Sequence, residues 1–262
     1  MKKTIAYFLS VGIVCSAMVA CTTKNEENTK NTNPLEKKVD DDDPSLPFDQ
    51  RLKNYIERKL NTRPGENYSL KIYEEHLNDD GKKDMVITVN RLEDALKTAV
   101  EKNLVNKSEV LGYFGNHNYF FYWSSKTDKF TPPFIIASTP QRELMISFEN
   151  ISSESHKDIV VDYAIRNSQF RKIYLMMDDL PFYSFQWKLY DGWGTDKLEA
   201  YCFEYGKGSY SNVKDIIINF AKIKNIAPTD DYNTIAPEIT CEKQLLKRFF
   251  FNTKDRKYYT PN

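Results

Sequence analysis

Histidine, glycine and cysteine are all scarce in this 262-residue chain, and each shortage closes a route to function. The three histidines, His76, His117 and His156, form no HExxH pair, which excludes the usual helix-borne zinc hydrolase site. Cysteine occurs only as Cys15, Cys21, Cys202 and Cys241, with no CxxC and no Cys/His cluster, so no pattern points to a structural zinc site. Gly206-Lys-Gly-Ser-Tyr210 lacks the closing glycine of a nucleophile elbow, and its spacing is not that of a phosphate-binding loop. Surplus charge is missing too. The 37 basic residues balance 37 acidic ones and the pI is near 6.8, so nothing recruits nucleic acid or a strongly charged partner. The apolar run at the amino terminus, Ile5 to Val19, falls short of the roughly 20 residues that a membrane span requires.

Aromatic residues are abundant by contrast. Seventeen Tyr and sixteen Phe stand against nine Gly, and 40% of the chain is hydrophobic, enough for a sizeable core built from strands with large side chains. Met1-Lys-Lys3 followed by the short apolar run reads as a secretory leader, ending Met18-Val-Ala-Cys21. A small residue before cysteine at the end of such a run resembles the lipobox of bacterial exported lipoproteins, with Met18 where Leu is usual. The resemblance implies cleavage before Cys21, a lipid on its thiol and a place in the cell envelope, at the outer membrane. Residues 1–20 are then the signal peptide. Residues 21–47 are a flexible tether: Thr22 to Asn33 offers nothing apolar to bury, and Asp40 to Asp43 repel one another. Its Lys24-Asn-Glu-Glu27 patch resembles the acidic export signals that send Bacteroidetes lipoproteins to the outer face.

The remainder, 48–262, reads as a single β-rich globular domain. Phe48, Leu52, Tyr55, Ile56 and Leu60 share one helical face, and the helix stops before Pro64-Gly65. A second helix follows from Leu92, Leu96, Ala99, Val100 and Leu104. Strands are expected over 69–75, 85–89, 119–123, 130–136, 144–148, 168–177, 184–189, 198–205 and 215–223, with turns at 190–194 and 206–208. Pro228 to Pro237 reads as an irregular segment, and Asp178-Asp179 and Asp230-Asp231 as solvated turns.

The most specific pattern in the domain is His76-Leu-Asn-Asp-Asp-Gly-Lys-Lys-Asp84 running into Met85-Val-Ile-Thr-Val89. Asn78, Asp80, the Lys82 carbonyl and Asp84 are spaced to converge on one cation, and Gly81 provides the bend. The loop resembles the calcium loops of FG-GAP/VCBS-type β repeats, with His76 in place of the leading aspartate. That resemblance implies Ca²⁺ bound by Asn78, Asp80, Lys82 and Asp84, with Asp79, Glu75 or water filling out the shell. A tight turn capped by its own side chains is the competing reading of the same residues. Asn150-Ile-Ser-Ser-Glu-Ser-His-Lys-Asp158 repeats the pattern at an offset of 150 − 76 = 74, without the glycine and with less charge. Phe251 to Tyr258 similarly echoes Trp123 to Phe130. These echoes lead to a mainly β fold, a β-rich α+β arrangement of antiparallel, repeated or propeller-like sheet units with two peripheral helices.

Three functions compete. The chain resembles exported lipoproteins of Bacteroidetes, which implies a non-catalytic, envelope-anchored binding or structural domain. Runs such as Tyr119-Phe-Phe-Tyr-Trp123 and Phe249-Phe-Phe251 admit a glycan- or protein-binding platform in an uptake system, and buried rings would count against it. An exported hydrolase requires carboxylates that no motif singles out. Cys202 and Cys241 are either one disulfide, permitted by export, or buried thiols.

Overall fold

The structure is a computed structural model that describes residues 44–103, 116–224 and 235–260. The leader, Cys21, almost all of the tether, Leu104, Asp230-Asp231 and most of the Pro228–Pro237 segment lie outside the described residues. The described part is mainly β, with two helices and two antiparallel sheets.

Helix α1 (Phe48–Leu60) buries Leu52, Tyr55, Ile56 and Leu60, the apolar stripe of the sequence, and ends on Asn61 in the left-handed region. Strands β1 (Ser69–Glu75), β2 (Asp84–Asn90), β3 (Asn118–Ser124), β4 (Lys129–Phe130) and β5 (Phe134–Ile136) form the first sheet. Pro132 and Pro133 cannot donate to a ladder, so β4 and β5 are two pieces of one edge, both paired to β3. Helix α2 (Leu92–Glu101) fills the connection between β2 and β3.

The second sheet runs through β6 (Met145–Glu149), β7 (Asp158–Ile165), β8 (Ser168–Met177), β9 (Leu180–Asp191), β10 (Glu199–Gly206), β11 (Asp215–Lys224), β12 (Glu238–Asn252) and β13 (Lys257–Tyr259). β10 meets β9 through only two residue pairs, Glu199 with Asp191 and Ala200 with Tyr190. The sheet therefore divides into two four-stranded meanders, β6 to β9 and β10 to β13. With β1 to β5 they make three successive units of one plan: strand, polar loop, strand, strand, tight turn, edge strand.

The period-two alternation of strands decides what each face touches. In the second strand of each unit, residues at odd steps after the opening aspartate face backwards along the chain. Ile87 and Val89 pack on α1, Ile159 and Val161 on the first unit, and Ile216 and Ile218 on the second. Even steps face forwards. Val86 lies between the first and second units and Val160 between the second and third, both with no exposed surface. Helix α1 thus takes the place of a unit preceding the first. Within the third unit, the Cys202–Cys241 pair is a disulfide with Cα atoms 5.7 Å apart, tying β10 to β12 past β11.

Candidate functional site

The loops between first and second strands carry the residues that the sequence singles out, and each ends on an enclosed aspartate. Asp84 and Asp158 have no exposed surface, and both open the second strand of their unit, as the echo in the sequence predicts. A third aspartate, Asp215, opens β11 in the same way and is 1% exposed.

Asp84 accepts from Asn78 Nδ2 at 3.0 Å, from the Ser125 amide at 2.8 Å and from Ser125 Oγ at 3.0 Å. Asp158 accepts from the amides of Ile151 and Ser152 at 3.0 and 2.6 Å, from Ser152 Oγ at 2.7 Å and from the Met176 amide at 2.7 Å. Asp215 accepts from the Ser209 amide and hydroxyl at 3.2 and 2.6 Å, and from Arg248 Nε at 3.0 Å. Asn78, Ser152 and Ser209 each stand six residues before their aspartate and bond to it, so one local closure recurs three times. Burial pushes the Asp158 carboxyl above its ordinary value, against the four donors that draw it back down.

The cation ligands expected in the first loop are therefore engaged by protein groups. Besides the Asn78–Asp84 bond, Asn78 Oδ1 accepts the Asp80 amide at 2.9 Å and Asp80 Oδ1 accepts the Lys82 amide at 2.8 Å, two successive side-chain-capped turns. His76 Nδ1 lies 3.1 Å from the Lys82 carbonyl oxygen, and Glu75 accepts the His76 amide. Gly81, at φ +75°, makes the bend that the sequence calls for. Ca²⁺ prefers about six to eight oxygens. Asn78 Oδ1, Asp80 Oδ1, the Lys82 carbonyl and Asp84 Oδ2 each keep a second lone pair beside the bond they accept. Asp79 turns to the second loop instead, accepting from Ser155 Oγ at 2.6 Å and lying 3.1 Å from His156 Nδ1; those two neighbours hold its carboxyl below the usual range.

Successive loops are stapled by backbone as well. The Lys157 amide donates to the His76 carbonyl and the Lys214 amide to the Ile151 carbonyl, each at 2.9 Å. Leu77 and Ile151, the second residue of each loop, plug the gap to the next unit and are 0% and 1% exposed. In the third loop that position is Gly208, where a Cβ would lie 2.2 Å from the carbonyl oxygens of Ser211 and Val213. The Lys207 carbonyl, with no following unit described, accepts from Arg248 Nη2 at 3.1 Å.

A second buried polar cluster lies where α1 and α2 meet the first sheet. Arg91 donates to both oxygens of Glu66 at 2.6 and 2.7 Å and to the Leu60 carbonyl at 3.1 Å. Asp94 lies 3.6 Å from Arg91 and 3.4 Å from His117 Nδ1. The Arg91 bonds hold Glu66 below its usual value, and burial lowers His117 against the pull of Asp94. A histidine beside a carboxylate has the parts of a general base. Arg91 clamps the end of α1 to the start of α2, while Glu66 and Asp94 also line a small pocket of about 120 Å³ beside Arg63.

The three tryptophans serve packing. Trp193 is 3% exposed against Tyr190, Trp123 is half-buried on Phe48 and bonded to Asp128, and Trp187 is packed on Tyr201 and Phe249. The exposed rings are elsewhere. Tyr210 and Tyr259 are 79% and 51% exposed and, with Phe250, line a groove of about 450 Å³ on the third unit. Compared with known proteins, the chain matches no family model, no curated protein and no solved structure.

Proposed function

We propose that the chain is an envelope-anchored lipoprotein whose β domain acts by binding and support, without catalysis. The observation that carries this reading is the engagement of the corner carboxylates Asp84, Asp158 and Asp215 by internal donors. A general acid or base has to come within hydrogen-bond reach of a substrate proton, and carboxylates closed over by their own loops do not offer that. In the Glu66–Arg91–Asp94–His117 cluster both carboxylates are paired with arginines, Glu66 with Arg91 and Asp94 with Arg63 and Arg91. The anchor rests on the leader and the Met18-Val-Ala-Cys21 junction, and the polar tether then holds the domain away from the outer-membrane surface.

The test has two arms. Mass spectrometry of the mature protein should find Cys21 as the amino-terminal residue carrying lipid, and Cys21→Ser should leave the leader uncleaved or the protein in the soluble fraction. Unchanged mature mass and membrane fractionation in Cys21→Ser would overturn the anchor. A hydrolytic activity that disappears in folded His117→Ala or Asp94→Asn protein would overturn the non-catalytic reading.

A further inference from the structure

The forward face of the third unit is the one face of its kind that no described residue covers. In the first two units that face carries Val86 and Val160, each wholly enclosed by the unit that follows. In the third it carries Ile217 at the same step after the aspartate, flanked by Leu245, which is 58% exposed. These two floor a groove of about 410 Å³. Its walls are charged. Glu204 of β10 lies beside Ile217 and Lys243 of β12 lies past Leu245 towards the other end, while Arg248, the β12 neighbour of Ile217, is bonded to Asp215. The side chains of Glu204 and Lys243 have no ion-pair or hydrogen-bond partner among the described residues.

We propose that this face is the interface of a symmetric dimer of the chain. An apolar floor with a carboxylate on one side and an ammonium on the other is complementary to itself. A twofold axis crossing β11 obliquely lays floor on floor and brings each Glu204 against the partner's Lys243, while Tyr210 and Tyr259 extend the contact along the groove beside it. Head-to-tail association is closed off, because the backward face of the first unit is already occupied by α1. The contact is therefore isologous and stops at two copies. Loss of the leader with Lys2 and Lys3 leaves a net charge of only 0 − 2 = −2, too small for long-range repulsion to keep copies apart.

The experiment is sedimentation of the detergent-solubilised full chain over a wide concentration range. Wild type should give a concentration-dependent monomer–dimer equilibrium, and Leu245→Asp should raise its Kd by about thirtyfold without loss of fold. Glu204→Lys and Lys243→Glu should each weaken the dimer about tenfold, and the double reversal should restore it, which a purely structural role for either residue does not produce. A monomer at every concentration would overturn the proposal. So would a dimer indifferent to Leu245→Asp, which uses another surface, and so would single reversals that the double variant fails to rescue. A wild-type monomer that retains an oligosaccharide, lost in Tyr210→Ala, would assign the face to a glycan instead.

Discussion

The first and third units are built to one plan and differ in how their ends are finished. The first has α1 across its backward face, with Arg91 fastening the helix end through the Leu60 carbonyl, and its corner aspartate draws donors from Asn78 and from Ser125 in a different hairpin. The third leaves its forward face open and closes its corner with Arg248, a side chain 39% exposed that bonds both Asp215 and the Lys207 carbonyl. An interior interface is stabilised by burial and by a backbone amide of the next unit that meets a loop carbonyl, Lys157 at His76 and Lys214 at Ile151. A terminal one is completed by a long side chain from the unit itself, as the ends of repeat arrays require.

The difference is sharpest at the corners. Asp84→Ala strands the buried Asn78 amide and two half-buried donors of Ser125 and should cost about 3 kcal/mol in chemical denaturation, whereas Asp215→Ala leaves an arginine able to turn to water and should cost about 1.5 kcal/mol. Equal losses would mean that the two corners are equivalent and that Arg248 is no makeshift. One step along the strands the same contrast holds for packing. Val86→Ala or Val160→Ala should cost about 2 kcal/mol, and Ile217→Ala less than about 1 kcal/mol in the monomer, because only the first two leave a closed cavity. A large monomer effect at Ile217 would show the open face to be covered. The smallest effect is expected from calcium. Because the first loop is held by its own hydrogen bonds, millimolar Ca²⁺ should move Tm by less than about 1 °C, and Asp80→Ala should not alter that. A clear rise with calcium that Asp80→Ala abolishes would establish the ion at Asn78, Asp80, Lys82 and Asp84.

Those loops also show what could be read from the residues alone. Helix α1 and the strands β1 and β8 were legible because their periods are unambiguous, and the recurrence of Asp84 at Asp158 was legible because Lys-Asp followed by an apolar run appears twice. The third corner was missed, since Gly208-Ser-Tyr210 looks nothing like His76-Leu-Asn78. Its signal was nonetheless present: Lys214-Asp215 before Ile-Ile-Ile218, with Ser209 six residues upstream. What no local pattern separates is an ion loop from a pair of side-chain-capped turns, because both need oxygens at Asn78, Asp80 and Asp84 with a glycine at the bend. The two donors on Asp84 that come from Ser125 lie far along the chain, and only folding brings them there. Most of β12 was illegible for a different reason: Glu242, Lys243 and Gln244 break the alternation that Ile239 and Cys241 begin.

The two backbone staples have a consequence for the order of assembly. In each, the later unit donates and the earlier one accepts: Lys157 to His76, and Lys214 to Ile151, over 157 − 76 = 81 and 214 − 151 = 63 residues. The pairings inside a unit are local, so a unit can close before its neighbour exists, but a staple can form only on a carbonyl that an earlier loop has already fixed in place. A chain emerging from its amino terminus meets that condition at every step, each finished unit offering the template on which the next one settles.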